Sequence, residues 1–356
     1  MTVCTLTVIT PPIAMNHFFT PILEEWYEKN GRDLPWRHTC DPWVVLVSEV
    51  ILQQTRVAQG IDYFGRFLQA FPTPEALASA SEDQVMLLWK GLGYYSRARN
   101  LQKAARQIVE QGGFPKEYKQ VLQLAGVGEY TAAAVCSFCY GQPYAVLDGN
   151  VYRVLARYLG IDIPMDTGEG KRVFQKMADE MLDVSQPALY NQAIMDFGAM
   201  VCTPKSPSCE TCPLLETCSA RRSGCVEILP VKSKTIRIRH RFLTYFLLTD
   251  SKGRIYIQRR GQGDIWQGLY ELYCHETEQK MTHSEAAALF PNGEVLESLS
   301  GITHQLSHQL LHADCYLVRL QAIPTGLPGL WVEREKLQDY AVPRLVERLL
   351  EIIMSR

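Results

Sequence analysis

The chain has 356 residues, a length that predicts two domains of ordinary size. Hydrophobic residues make up 47% and charged residues 21%, as in a globular enzyme, and no apolar run reaches the roughly 18 residues that span a bilayer. A membrane partner is therefore not expected. The formal net charge of −2 neither indicates nor excludes a nucleic-acid partner, because the position of charges matters more than their sum.

Residues 1–14 are apolar and uncharged, and they lack the basic start and the small-residue cleavage site of a signal peptide. We expect them to be a disordered leader or an extension upstream of the native start, because a strong helical pattern opens at Met15. Without a targeting signal, the sequence predicts a cytoplasmic protein.

Helical periodicity extends from residue 15 to about residue 220, with apolar residues at spacings of three and four and turn signals such as Gly112-Gly113 between the helices. Residues 221–234 are polar and basic and predict a linker. Residues 235–356 mix strand-like alternation with helical segments. We therefore expect an all-α first domain and a smaller α+β second domain.

An acidic residue lies inside one of the most apolar helical segments. Glu49 interrupts the run VVLVSEVILQQT, where a carboxyl group is expected to be partly buried. Burial raises the pKa of a carboxyl group, which can then keep a proton for general acid catalysis near neutral pH. The alternative is a structural acid whose hydrogen bonds are satisfied by the neighbouring backbone.

A glycine-containing turn, Leu124-Ala125-Gly126-Val127-Gly128, joins two predicted helices. Glycines permit a tight turn that directs backbone N–H groups outward at the start of the next helix, and such a helix start binds phosphate without reading sequence. Many helix–helix turns have this composition, so the motif alone is weak evidence for DNA binding.

Asp148 precedes the predicted helix VYRVLARYLG in the turn Asp148-Gly149-Asn150. A helix cap is the simplest interpretation, and it is compatible with catalysis because a carboxylate at a helix start stays ionised. An acid that keeps its proton and a carboxylate held at a helix start can act together, one as general acid and the other in stabilising positive charge, so Glu49 and Asp148 are candidates for such a pair.

Four of the eleven cysteines lie close together in the sequence. They are Cys202, Cys209, Cys212 and Cys218, separated by six, two and five residues. The intervening segments contain prolines and small polar residues, which suit a loop around a metal centre. Four thiolates can bind tetrahedral zinc or a [4Fe–4S] cluster. Zinc sites usually contain two short CxxC knuckles, whereas this segment has one.

The cysteine spacing resembles the cluster loop of the endonuclease III family of DNA glycosylases. The segments SEVILQQT, WKGLGYYSRARNL, GVGEYTAAAV and LDGNVYRVLAR, in this order before the cysteine loop, resemble the adenine DNA glycosylase (MutY) family of the same superfamily. The resemblance covers about residues 15–218. It implies a helix-hairpin-helix glycosylase fold, a [4Fe–4S] cluster bound by the four cysteines, and a DNA substrate. Ala125 departs from the family, which usually has proline there.

The resemblance also implies roles for individual residues. Glu49 would protonate adenine, Asp148 would stabilise the sugar cation and Asn150 would support the site. Arg37, in the segment LPWR, falls where the family lines the adenine pocket. The residues implied to contact DNA around the extruded adenine are Gln54, Thr55, Leu92, Tyr94, Gly126 and Gly128.

Tyr130 bears on the type of glycosylase. Members of the superfamily that also cleave the DNA strand carry lysine at this position, because a Schiff base requires an amine nucleophile. Tyrosine therefore favours base removal without efficient lyase chemistry. We expect Tyr130 either to shape the base pocket or to be an ordinary core tyrosine.

The second domain resembles, less closely, the Nudix-like domain with which adenine DNA glycosylases sense 8-oxoguanine. The motif His304-Gln305-Leu306-Ser307-His308 is similar to the family's HxFSH, with leucine in place of phenylalanine. The resemblance implies that Ser307 and His308 contact the oxidised guanine. The sequence lacks the glutamate-rich helix that binds metal in Nudix hydrolases, so pyrophosphatase activity is not expected.

These features predict a monofunctional adenine DNA glycosylase that removes adenine paired with 8-oxoguanine or guanine. The expected partner is double-stranded DNA with such a mispair, bound by a monomer in the bacterial nucleoid. A sliding clamp or other repair proteins are left open as further partners. Two alternatives remain: an endonuclease III-like glycosylase with AP lyase activity, and a non-catalytic iron–sulfur protein that binds DNA.

Overall fold

The computed structural model describes residues 13–233, 238–324 and 326–355. Most of the expected leader lies outside these residues, although Ile13 and Ala14 belong to the first helix. Contacts divide the chain into two compact units, Met1–Ala78 with Asn100–Lys234 and Ser79–Arg99 with Thr235–Arg356. The segment 79–99, which we predicted in the first domain, therefore groups with the second unit.

The first unit consists of α-helices and short 3-10 turns in its described residues. In chain order the helices up to residue 222 are α1 (Ile13–Asn30), α2 (Pro42–Leu52), α3 (Val57–Ala70), α4 (Pro74–Ser79), α5 (Glu82–Trp89), α6 (Ser96–Glu110), α7 (Tyr118–Val121), α8 (Glu129–Tyr140), α9 (Gly149–Leu159), α10 (Gly168–Met181), α11 (Pro187–Met200) and α12 (Ser219–Arg222). Of these, α5 belongs to the second unit. The all-α first domain predicted from the sequence is confirmed.

One apolar core joins α1, α8, α9, α10 and α11. Phe19, Leu155, Phe174 and Phe197 are among its fully buried members. Leu214, which lies in the cysteine-containing loop, packs into the same core. The start of α9 and the cysteine loop are therefore held on a common hydrophobic base.

The predicted turn at 124–128 joins α7 to α8 and requires glycine at one of its two glycine positions. Gly126 has φ +77°, and a Cβ atom there would lie 2.7 Å from Cβ of Asn100. Gly128 is the N-cap of α8 and has an ordinary φ of −100°, and a Cβ atom there would meet nothing within 4 Å. Backbone conformation and space therefore require glycine at Gly126 but not at Gly128.

We expect Gly126→Ala to destabilise the first unit by about 2 kcal/mol, because it combines a left-handed backbone with a steric overlap. The matched change Gly128→Ala should cost less than about 1 kcal/mol, the preference of an N-cap for glycine over alanine. Chemical denaturation followed by circular dichroism measures both. Equal losses in the two variants would contradict this account.

In its described residues, the second unit contains a mixed β-sheet with two helices in addition to α5. The strands are β1 (Arg239–Thr249), β2 (Ile255–Arg259), β3 (Tyr270–Glu271), β4 (Tyr273–Thr277), β5 (Gly293–Gln305), β6 (Gln309–Leu320) and β7 (Leu330–Val332). The sheet order is β3-β2-β1-β6-β5, with β4 paired to β1 and β7 paired to β2. The pairing of β1 with β6 is parallel, and the other pairs are antiparallel.

Alternate residues of the long strands cover two separate cores. Leu243, Tyr245 and Leu311 pack with α14 (Arg344–Met354), whereas Phe246 and Tyr316 pack with α13 (His283–Ala288). This arrangement confirms the predicted α+β second domain. No helix in the described part of the chain is long and apolar enough to cross a membrane.

Candidate active site

The first unit contains a cavity of about 180 Å³ that brings together all four predicted catalytic residues. Glu49 from α2, Tyr130 from α8 and Asp148 at the start of α9 line it. The other polar residues in its wall are Arg32, Arg37, Thr55, Asn150 and Gln192. Since a cavity of roughly 150 Å³ can hold a benzene molecule, this one has room for an aromatic ring system.

Glu49 lies within α2 with 6% of its surface exposed. Burial raises the pKa of Glu49 to about 7, and the negative charge of Asp148 acts in the same direction. The hydroxyl of Tyr130 donates a hydrogen bond to Oε2 of Glu49 at 2.6 Å, and this bond and Arg37 act against the rise. A carboxyl group with this pKa still carries its proton in a large fraction of molecules at neutral pH, as a general acid requires.

We expect Tyr130→Phe to move the basic limb of the pH–rate profile upward. Any reaction that uses protonated Glu49 slows as the pH rises through the pKa of Glu49, and loss of the Tyr130 hydrogen bond raises that pKa further. Single-turnover base release between about pH 5.5 and 9 measures the midpoint. Tyr140→Phe is the matched control, because its hydroxyl bonds to the Pro115 carbonyl outside the cavity. A downward shift in Tyr130→Phe would contradict the assignment.

Asp148 is the N-cap of α9, as the sequence predicted. Its Oδ1 accepts hydrogen bonds from the backbone N–H groups of Asn150 and Val151 at 2.9 and 2.8 Å, and its Oδ2 accepts one from the Asn150 side chain at 2.7 Å. Burial raises the pKa of Asp148, whereas these three hydrogen bonds favour the carboxylate. Because the backbone N–H groups at a helix start favour an anion, Asp148 is the member of the pair better suited to carry the negative charge.

Asn150 connects Asp148 to the rest of α9 and beyond. Its Oδ1 accepts a hydrogen bond from Nη2 of Arg153 at 2.8 Å. Arg153 also donates to the carbonyl oxygens of Gly198 and Cys202, both at 2.6 Å. The amide orientation of Asn150 is therefore fixed, with its NH₂ group toward Asp148.

A buried aspartate holds Arg37 at the cavity. Asp196, on α11, is fully buried and accepts two hydrogen bonds of 2.7 Å from the Arg37 guanidinium. It also accepts bonds from the backbone N–H and Nε of Arg32, both at 2.9 Å. Burial alone would raise the pKa of Asp196, but the bonds from Arg37 and Arg32 outweigh burial and lower it. Asp196 is therefore a carboxylate that orients two cavity arginines.

The sequence analysis did not single out Asp196 or Gln192. The Oε1 atom of Gln192 accepts a hydrogen bond from the Tyr27 hydroxyl at 2.7 Å, and its side chain lines the cavity. Both residues lie on α11, four positions apart and hence on one face of a mostly apolar helix. Two polar residues at this spacing in the run YNQAIMDFGAM were the available signal.

The residues expected to contact DNA lie in different environments. Gln54, just after α2, has φ +57°, and Thr55 lines the cavity. Leu92 is 7% exposed, so it packs inside the protein rather than projecting from it. Tyr94 is 47% exposed and also has a positive φ, +46°.

Two of the predicted DNA-contacting residues meet within the second unit. The hydroxyl groups of Tyr94 and Ser307 share a hydrogen bond. Ser307 and His308 lie in the turn between β5 and β6. Residues 213 positions apart in the chain are thus brought together.

The four clustered cysteines line a single cavity in the first unit. Nη1 of Arg157, on α9, contacts Sγ of Cys202 at 3.4 Å and donates to the Thr203 carbonyl at 2.8 Å. In the described residues, no three potential ligands are placed to bind one common metal ion. A [4Fe–4S] cluster does not require that arrangement, because its four thiolates bind different iron atoms. The shared cavity and the all-thiol donor set fit such a cluster.

Family models match two segments of the chain. Residues 47–178 match the HhH-GPD superfamily base excision DNA repair protein, and residues 244–352 match a NUDIX domain. A thermostable thymine-DNA glycosylase of known structure superposes with a TM-score of 0.55 and 28% identity, over 59% of this chain and 97% of that protein. The helical unit and its acidic cavity thus define the class of protein as a base excision DNA glycosylase.

Relatives of this chain specify the class further. The adenine DNA glycosylase of Buchnera aphidicola subsp. Acyrthosiphon pisum is 32% identical over 349 residues, which are 94% of this chain and 97% of that protein. The adenine DNA glycosylase of Homo sapiens is 40% identical over 235 residues, 60% of this chain and 43% of the human protein. This chain belongs to the adenine DNA glycosylase family.

Proposed function

We propose that the protein hydrolyses the N-glycosidic bond of adenine paired with 8-oxoguanine or guanine in duplex DNA, and leaves an abasic site. The observation that carries this proposal is the pairing of Glu49 and Asp148 in one cavity, where burial raises the pKa of Glu49 to about 7 and a helix start favours the anion of Asp148. The adenine must leave the base stack to reach the cavity, and a mispair lowers the cost of that step.

In the proposed mechanism, the carboxyl group of Glu49 donates its proton to a ring nitrogen of the bound adenine. Protonation turns the base into a neutral leaving group, so the bond between that base and C1′ can break. Tyr130 holds the Glu49 carboxyl through its 2.6 Å hydrogen bond, and Asp196 holds Arg37 at the wall where the base would bind. These contacts orient the acid and the pocket before the substrate arrives.

Asp148 would stabilise the positive charge that develops on the sugar as the bond breaks. Its own hydrogen bonds come from the start of α9, so the carboxylate is preorganised and needs no rearrangement during the reaction. Water then adds to C1′, and its proton passes to a carboxylate of the site. The products are free adenine and a sugar with a hydroxyl group at C1′.

The alternative of a glycosylase with AP lyase activity would require an amine nucleophile in this cavity. Strand cleavage through a Schiff base requires an amine, and the described residues that line the cavity include arginines but no lysine. Tyr130 occupies the position where the sequence resemblance would place that lysine. These observations favour a monofunctional glycosylase.

The second unit is proposed to recognise 8-oxoguanine. Ser307 and His308 lie in a short turn between two long strands, and Tyr94 lies beside Ser307. Hydroxyl and imidazole groups in such a turn can form hydrogen bonds with the edge of a base. The substrate would be double-stranded DNA, encountered in the bacterial cytoplasm by a protein that acts as a monomer.

Cys202, Cys209, Cys212 and Cys218 are proposed to bind a [4Fe–4S] cluster. When bound, the cluster would fix the loop after α11 by joining its four thiolates. The loop already shares a core with α9 through Leu214, and Arg157 contacts Cys202 from α9. Its proposed role is therefore structural, with no part in the chemical step.

The proposal is tested with purified protein and a labelled duplex that contains one A:8-oxoguanine pair. After incubation, one half of each sample is treated with alkali, which cleaves DNA at abasic sites. We expect cleavage at the adenine position only after alkali, and free adenine in equal amount. Cleavage without alkali would show lyase activity, and no adenine release would favour a DNA-binding protein without catalytic activity.

A further inference from the structure

A buried arginine lies next to the turn that carries Ser307 and His308. Arg241, in β1, is 5% exposed, although arginine is seldom buried without a full set of partners. It donates to both carboxylate oxygens of Asp264 at 2.6 and 2.7 Å and to both of Glu276 at 2.5 and 2.7 Å. A fifth hydrogen bond runs from its Nη1 to Oε1 of Gln309 at 3.1 Å.

The two carboxylates leave Arg241 little freedom. The guanidinium holds the pKa of Asp264 down to about 2, and Asp264 is shared with Arg260, which also pairs with the buried Glu271. A planar guanidinium with two bidentate carboxylate partners has one orientation. Its remaining donor therefore points in a fixed direction, and that direction is occupied by Gln309.

Gln309 is the residue immediately after the turn. The backbone N–H of Leu306 donates to the Gln309 carbonyl at 2.8 Å, which closes the turn around Ser307 and His308. The backbone N–H of Arg239, two residues before Arg241, donates to the His308 carbonyl at 2.9 Å. β1 thus holds the turn through its backbone and through one side chain.

The other side of the turn is held by an aromatic ring. Trp266 packs edge-on against His304 at 5.9 Å between ring centroids, and Arg260 lies over the Trp266 ring. Trp266 itself has φ +59°, a left-handed conformation that a bulky residue rarely adopts. Arg260 and Asp264 of the charged network lie in the same loop as this ring, residues 260–266, so the loop contributes both to the partners of Arg241 and to the contact with His304.

We propose that Arg241 is a positioning residue for recognition of the oxidised base: through Gln309 it fixes the turn that carries Ser307 and His308 and so sets the preference for 8-oxoguanine over guanine. This inference rests on the proposed function. N7 of guanine accepts a hydrogen bond, whereas N7 of 8-oxoguanine carries a hydrogen and donates. A group that distinguishes the two must be held to within about 0.5 Å, which a turn held only by its own backbone does not ensure.

The test compares single-turnover adenine release from an A:8-oxoguanine duplex and from an A:G duplex. Gln309→Met removes the acceptor of Arg241 but leaves both carboxylate pairs and all backbone contacts of the turn. We expect the ratio of the two rates to fall by about tenfold, the typical effect of one misplaced hydrogen-bond partner. Gln309→Glu keeps an acceptor for Arg241 and should restore most of the ratio. Arg241→Lys, which cannot bridge all three partners, should lower it as Gln309→Met does.

Gln338→Met is the matched control, because Gln338 is exposed in the second unit and far along the chain from the turn. It should leave both rates and the melting temperature unchanged. A wild-type ratio above one that Gln309→Met does not change would overturn the inference while leaving the proposed function intact. Equal loss of both rates with a lower melting temperature would also overturn it, since that is a purely structural effect. A wild-type protein that releases no adenine would instead contradict the proposed function, whereas equal rates on the two duplexes would overturn the inference, because there would be no preference for Arg241 to set.

Discussion

Glu49→Gln is expected to lower the single-turnover rate of adenine release by about a thousandfold, which is within the range that a positioned general acid contributes. The substitution preserves the size of the side chain and leaves an oxygen that can accept the Tyr130 hydrogen bond. It removes the dissociable proton. Because the fold and the pocket are retained, affinity for the mispaired duplex should change little, and the loss should appear in the rate of the chemical step.

The same variant should be more stable than the wild type at alkaline pH. The pKa of Glu49 is about 7 in the folded protein against an ordinary value of 4.5, so between these pH values the folded state holds a proton that the unfolded chain has lost. The free energy of unfolding therefore decreases as pH rises from 4.5 to about 7, and the carboxylate stays unfavourable above that range. Glutamine does not titrate and should remove this penalty, which we place at about 1 to 3 kcal/mol.

Denaturation at about pH 5.5 and about pH 8, alongside the rate assay, separates these effects. If the variant is inactive and is more stable than the wild type at the higher pH, Glu49 is an acid whose buried environment disfavours its ionised form and so retains the proton used in catalysis. A rate within about tenfold of the wild type would remove Glu49 from the mechanism. Unchanged pH dependence of stability would mean that Glu49 is not protonated in the folded state at neutral pH.

The parts of this site that the sequence predicted are those with a local signal. Glu49 is an acid in an apolar helix, and Asp148 directly precedes a helix that needs a cap. Both features lie within about ten residues, where periodicity and capping preferences operate. The cysteine loop is likewise a matter of spacing along the chain.

The parts that were not predicted depend on contacts between distant residues. Arg37 was assigned to the pocket from the resemblance, but the carboxylate that orients it, Asp196, lies 159 positions away on α11. The grouping of the segment 79–99 with the second unit also depends on contacts between residues that are distant in the chain. There Arg259 pairs with Glu82 and Asp83 at the start of α5. Surface charges have no periodicity that would reveal such partners in a single sequence.

Asp148→Asn is expected to lower the rate of adenine release by about a hundredfold to a thousandfold, the loss typical of removing one preorganised electrostatic group. Asparagine is as good an N-cap as aspartate, and its oxygen can accept the bonds from the backbone N–H groups of Asn150 and Val151. The start of α9 should therefore remain folded. The substitution removes only the negative charge that is proposed to stabilise the developing sugar cation.

Asn150→Ala separates the charge of Asp148 from its hydrogen bonding. It removes the 2.7 Å bond to Oδ2 of Asp148 but keeps the carboxylate, so we expect a loss of only about tenfold. In Asp148→Asn, the new side-chain NH₂ group faces the NH₂ group of Asn150. Asn150 cannot flip to present its oxygen instead, because that oxygen accepts a hydrogen bond from Arg153. If Asn150→Ala were as inactive as Asp148→Asn, the orientation of the carboxylate rather than its charge would be the decisive property.

The pH dependence of the residual activity gives an independent check on the pair. The charge of Asp148 raises the pKa of Glu49, so its removal in Asp148→Asn should move the basic limb of the pH–rate profile downward. Tyr130→Phe should move the same limb upward, because the lost hydrogen bond favoured the Glu49 carboxylate. Opposite shifts from two neighbours of one titrating group are hard to obtain unless that group is Glu49. Shifts in the same direction would indicate that another residue supplies the proton.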